Sequence, residues 1–162
     1  MHVIIATDGS RESLAAARHF QSFADPGKIA ALTVLAVIRP LAAVAFANEL
    51  SEADRPGAGT EAGSFRDAAR SAVDTIAAEL RAWGPKVKTK IRSGSPASEI
   101  IKEAELTKAG LIVVSAGGRG LTDAVLVGST AQRVQHYAPC PVLVVRRPVL
   151  RAPRRASRPR ST

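Results

Sequence analysis

Aromatic side chains are scarce in this chain, making up 4% of its 162 residues, with Trp83 as the single tryptophan. Single-stranded nucleic acids are held largely by stacking bases on such rings, so the shortage argues against an RNA-binding module. Cysteine is almost absent too. Cys140 alone can form neither an internal disulfide nor a clustered thiolate metal site, and its place between Pro139 and Pro141 reads as structural. No apolar run approaches the ~18 residues needed to cross a bilayer, and the N-terminal stretch lacks the order of charged, apolar and small residues that marks a secretory leader. A cytoplasmic protein is therefore expected. His2, His19 and His136 are too scattered for zinc-ligand spacing.

What the chain has instead is aliphatic. Hydrophobic residues make up 46%, enough to bury a sizeable core in one domain. The net charge of +9 is unevenly placed, because Arg146, Arg147, Arg151, Arg154, Arg155, Arg158 and Arg160 account for all but two of those charges. With Pro148, Pro153 and Pro159 and no acidic residue, residues 147–162 read as a disordered Arg/Pro-rich tail. Such a tail suits weak polyanion binding, to nucleic acid or an anionic membrane, through counterion release, or else merely keeps the domain soluble.

Residues 1–146 alternate two kinds of pattern. Apolar β-branched runs at 2–6, 29–38, 111–114 and 141–145, with a half-polar alternation at 87–91, predict five strands. Between them, helical spacing predicts helices over about 11–24, 65–83, 96–107 and 129–137, with Ser10 and Ser95-Pro96 as start signals and Asp25-Pro26-Gly27 and Gly84-Pro85 as stops. Residues 41–64, alanine-rich and then glycine-rich, read as a mobile insertion. Strands alternating with helices imply a doubly wound α/β domain, a parallel sheet with helices on both faces. Ligands in such sheets sit beyond the carboxyl ends of the strands where the strand order reverses. With five strands that switch falls between the first and fourth, beside Thr7-Asp8 and the loop at 115–118.

That loop carries the chain's most legible chemistry. Leu111 to Thr130 is a buried-strand pattern running into a glycine-rich turn and then Gly128-Ser129-Thr130 ahead of a helix. Glycine lets a backbone approach a ligand with its N–H groups exposed, and a helix N-terminus gathers unpaired donors, so the segment suits a phosphate, or is an ordinary strand-to-helix turn. It is not a P-loop, which needs a lysine before the hydroxyl residue. It is not a dinucleotide fingerprint either, since Asp123 stands where the third glycine would be and the loop follows the fourth strand. No nucleophile and base are paired by motif, which points to a binding protein rather than a dedicated enzyme.

Taken in order, Ala6-Thr7-Asp8-Gly9-Ser10, Gly94-Ser95-Pro96, the glycine loop, and Tyr137 through Val145 (Tyr-Ala-Pro-Cys-Pro-Val-Leu-Val-Val) resemble the universal stress protein family. The resemblance implies a five-stranded sheet of order 3-2-1-4-5 and, for ATP-binding members, the motif Gly-x2-Gly-x9-Gly-Ser/Thr. Placed without gaps, the motif falls on Ser115-Ala-Gly-Gly118 and Gly128-Ser129, so serine replaces the first glycine. Its Cβ would cost about 1 kcal/mol or more if the backbone there were left-handed, while its hydroxyl offers a phosphate another donor.

By the same likeness, Ala6, Thr7 and Asp8 meet the adenosine end, Val37 lines the adenine pocket, and Val114 and Ser115 approach the ribose and phosphates. Gly118, Arg119, Gly128, Ser129 and Thr130 hold the triphosphate, with Mg2+ carried on the nucleotide. Each residue has a plainer reading, Asp8 as a helix cap and the two valines as core. The expected function is an ATP-dependent stress-response switch, with slow hydrolysis at most. The family also implies a homodimer through strand 142–145. Two other readings stand beside it: a dimeric interaction protein of the same fold that binds no nucleotide, and a nucleic-acid or membrane associate acting through the basic tail.

Overall fold

Strand β1, His2–Thr7, is the spine of the molecule in the computed structural model, which describes residues 1–39, 58–117 and 127–146. Val3, Ile4 and Ile5 are fully buried, because apolar side chains alternate across a sheet that is covered on both faces. Parallel to β1 on one side lies β2, Ala31–Ile38, and beyond it β3, Lys86–Ser93. On the other side come β4, Leu111–Ser115, and then β5, Val142–Val145. The order is β3-β2-β1-β4-β5, as the resemblance implies.

Among the described residues two helices cover each face. Helices α1, Arg11–Phe23, and α2, Ala58–Trp83, place Ala16, Ala17, Phe20, Val73, Ile76, Ala77 and Leu80 against Val3, Ile5, Leu32 and Val34. Helices α3, Pro96–Thr107, and α4, Ser129–Tyr137, place Ala97, Ile100, Ala104, Ala131 and Val134 against Ile4, Leu35, Ile112 and Val114. Burying each of the larger aliphatic side chains contributes about 1.5–3 kcal/mol, and these two clusters hold the layers together. Cys140 is half-buried against the second cluster, and burial raises its thiol pKa, in keeping with a structural role.

The element boundaries differ from the sequence expectation in one substantial way. Helix α2 begins at Ala58 rather than 65, so the last seven residues of the stretch read as an insertion are helical. Gly59 and Gly63 hid this start, because glycine is a poor helix former and reads as loop. The remainder of the insertion and the basic tail lie outside the described residues. Among the described residues no helix is long and apolar enough to cross a membrane.

One turn is built around a glycine. Gly94, between β3 and α3, has φ +149° and donates its N–H to the Ile38 carbonyl at 2.9 Å. It sits against Glu99, which belongs to an ion cluster joining β3 to α3. Lys88, Lys90 and Arg92 occupy alternate positions along β3, so Lys90 and Arg92 share the face toward α3. Arg92 donates to Glu99 and Glu103 at 2.9 Å each, Lys90 pairs with Glu103 at 2.7 Å, and Lys102 pairs with Glu99 at 2.8 Å.

Hydrogen bonds from Lys102, then Arg92, hold the Glu99 carboxyl below the usual glutamate pKa. Its stabilising contribution is therefore complete above the ordinary glutamate value and is lost as pH falls through the lowered one. Thermal melts from neutrality down to about pH 3 should show a decline in Tm in that window, flattened in Glu99→Gln. An equally steep decline in the variant would remove Glu99 from the account.

Candidate nucleotide-binding site

The sheet opens where its strand order reverses. Pairing between β1 and β4 ends at Ile5 with Val113, yet both strands run two residues further, to Thr7 and Ser115. Each end stays paired on its outer side, with β2 or β5, but the two are no longer paired with each other at the switch point, and three backbone segments border it.

The first is the turn after β1. Thr7 is buried, its Oγ1 accepting the Gly9 N–H at 3.0 Å and lying 2.8 Å from Ser13 Oγ. Ser13 already donates its hydroxyl to the Ser10 carbonyl at 2.9 Å, so Thr7 is the donor of the pair. Asp8, exposed, accepts the Ser10 N–H at 3.0 Å across Gly9, whose φ of +76° is open to a residue without a Cβ. Ser10 caps α1 by accepting the Ser13 N–H at 3.2 Å, as its position after the first strand predicts. Thr7 is therefore a loop former whose hydroxyl is engaged within the protein, and Asp8 points the same loop outward.

The second segment follows β4. Ser115 is the last residue of that strand, paired with Val145, and has no positive φ, so its Cβ carries none of the left-handed strain considered above. Its hydroxyl donates to the Gly117 carbonyl at 2.6 Å, shaping the turn instead of offering a donor to the crevice. The Ala116 N–H donates to Val145 and its carbonyl accepts the Gly128 N–H at 2.6 Å. That last bond staples the two ends of the glycine loop together. Gly118 and Arg119 lie between them, outside the described residues.

The third segment is the start of α4. Gly128 is its cap residue, with no side-chain cap, so Ser129 takes the first helical position. Among the described residues no side chain caps the backbone N–H groups of the first turn, and a helix N-terminus attracts anions. Ser129 is exposed and Thr130 half-buried beside them. Of the apolar candidates, Ala6 and Val37 are half-buried at the rim of the core on the α3/α4 face, whereas Val114 is 4% exposed and is a core residue. The structure thus sets Ala6, Thr7, Asp8, Val37 and Ser115 at or just beyond the carboxyl ends of β1, β2 and β4, with Gly128, Ser129 and Thr130 following the bond that ties Gly128 to the end of β4. Sequence reasoning missed Ser13 and the Ala116–Gly128 staple. Ser13 lies three residues past its cap, a spacing that could have flagged it; the staple leaves no sequence signal.

A family model described as the universal stress protein family matches residues 1–146. The chain belongs to this family. It is 31% identical over 150 residues to universal stress protein MJ0531 of Methanocaldococcus jannaschii, covering 90% of this chain and 82% of that one. Among solved structures, the universal stress protein UspA from Lactobacillus plantarum is 26% identical with a TM-score of 0.69, over 90% of this chain and 97% of that one. A family protein from Arabidopsis thaliana, with AMP bound, shares the fold at 15% identity and a TM-score of 0.65, over 92% and 93% of the two chains. The five-stranded architecture is thus that of the family.

Proposed function

We propose that this universal stress protein binds ATP at the crevice between β1 and β4 and acts as a nucleotide-dependent switch in a cytoplasmic stress response. The observation that carries the reading is the Ala116–Gly128 bond, which supports it by holding an uncapped helix start beside the strand ends at the switch point. In this reading the amides and hydroxyls of Gly128, Ser129 and Thr130 take the phosphates, completed by Gly118 and Arg119, with Mg2+ arriving on the nucleotide. Ala6 and Val37 border the adenine, and Asp8 meets the adenosine end. Thr7 and Ser115 shape their turns, and Val114 supports the floor. That the fold holds AMP in the Arabidopsis protein agrees with an adenine nucleotide. Any hydrolysis in this reading is slow, since among the described residues no side chain is set up as a nucleophile with its base.

Dimerisation belongs to the same reading. Strand β5 is an edge of the sheet and all four of its residues are half-buried, so a second copy pairing there would cover it. The basic tail adds weak polyanion affinity. Calorimetric titration of the full chain with Mg-ATP should give a Kd on the order of micromolar. Gly128→Val, whose side chain would crowd the donors, should weaken it about a hundredfold with the melting temperature little changed. No heat and no thermal stabilisation by ATP would replace this reading with that of a dimeric interaction protein without nucleotide.

A further inference from the structure

A groove of about 590 Å³ lies on the other face of the sheet, between the Phe65–Asp74 stretch of α2 and the carboxyl end of β3. It is separate from the nucleotide crevice. Val37 packs toward α3 and α4, and Ile38, the next residue, turns to the opposite face and lines the groove with Val73 and Ile91. These three make an apolar floor. Phe65 forms one wall and is 48% exposed, so a ring face is available for contact. The volume is in the range of small-molecule sites.

Its charge balance is specific. Lys90 and Arg92 at the inner edge are already paired with Glu99 and Glu103. Of the rest, Arg39, Arg66, Arg70, Asp67 and Asp74 all line the groove, and none of the five is ion-paired with another described residue. Among these described lining residues one positive charge is left over. Arg66 and Arg70 stand one turn apart on α2 and can grip a single oxyanion with their planar forks. A triphosphate would set several negative charges against that single excess and two carboxylates.

We propose that this groove binds a small organic monoanion with a planar apolar body, an aryl carboxylate or sulfonate, its ring on Phe65 and the aliphatic floor and its anionic group on Arg66 and Arg70. The probe is anilinonaphthalene sulfonate, which brightens when its rings leave water. Titrated into the folded full chain, it should reveal one saturable site, weakened about tenfold or more in the double variant Arg66→Ala/Arg70→Ala. Both arginines are exposed, so an unchanged melting curve is expected to accompany the loss. Phe65→Ala should weaken the same site. The uncharged counterpart phenylnaphthylamine should bind less tightly and ignore the arginine changes. Saturating Mg-ATP should displace none of the probe. Absence of a saturable site, wild-type affinity in the double variant, equal binding of the neutral probe, or displacement by Mg-ATP would each overturn the proposal. The arginine comparison needs no bound ATP, so it stands apart from the fate of the nucleotide reading.

Discussion

Replacing Gly94 by alanine should lower the unfolding free energy by about 2–3 kcal/mol and the melting temperature by roughly 5–10 °C. Two separate effects contribute. The backbone at φ +149° is a conformation that glycine adopts freely and a residue with a Cβ does not. An added Cβ would also stand 2.9 Å from Glu99 Cγ. That atom cannot simply swing away, because the Glu99 carboxylate beyond it is held by Arg92 and Lys102. The double variant Gly94→Ala/Glu99→Ala separates the two. Removing Glu99 relieves the contact but not the strain, so Gly94→Ala should cost less in the Glu99→Ala background than in the wild type. Equal costs in both backgrounds would assign the whole effect to the backbone, and no cost in either would show that the turn relaxes into another shape.

Glu103→Ala should cost about 2–3 kcal/mol in urea unfolding, with the slope unchanged. The Glu103 side chain is 2% exposed and accepts from Arg92 and Lys90 together. Breaking a buried pair by removing one partner typically costs about 3–5 kcal/mol because a charge is left uncompensated. The expected figure is lower here for two reasons: Arg92 keeps Glu99, and the Lys90 side chain, 44% exposed, can turn to water. Glu103→Leu fills the space without the charge, so its difference from alanine reports the packing part. Moderate salt should change little, since a buried pair is weakly screened. The exposed Arg18–Glu79 pair, at 2.7 Å, is the contrast, and its removal should be hardly measurable. A loss at Glu103 no larger than that at Glu79 would mean that α3 is held by its apolar face alone.

Much of this was legible in the sequence. The continuous run Val3-Ile4-Ile5 and the Ser10 start signal are local features, and the chain obeys them: the run is buried on both faces and Ser10 caps α1. Helix α2 shows the limit of such reading, since Gly59 and Gly63 speak locally for a loop while the helix begins before them. Glu103 shows it from the other side. A glutamate at helical spacing reads as a solvated face, and only the two cations on β3, the strand just before α3, explain its burial once the two elements pack side by side.

The candidate site divides the same way. That the loop has a composition suited to a phosphate was legible from residue type and spacing, because glycine and a helix start have the same properties in any fold. What Ser115 does with its hydroxyl, which partner Thr7 holds, and how Gly128 is brought to the end of β4 are matters of distance between segments separated in the chain. Residue type and spacing thus set most of the elements, the alternation that makes a doubly wound sheet, and the composition of the loop at its switch point. Packing set the true start of α2, the stapling of that loop, the buried ion cluster behind Gly94 and the arginine-rimmed groove on the opposite face. Propensities and caps act over a few residues, whereas hydrogen bonds and ion pairs between distant segments exist only once packing has set those segments side by side.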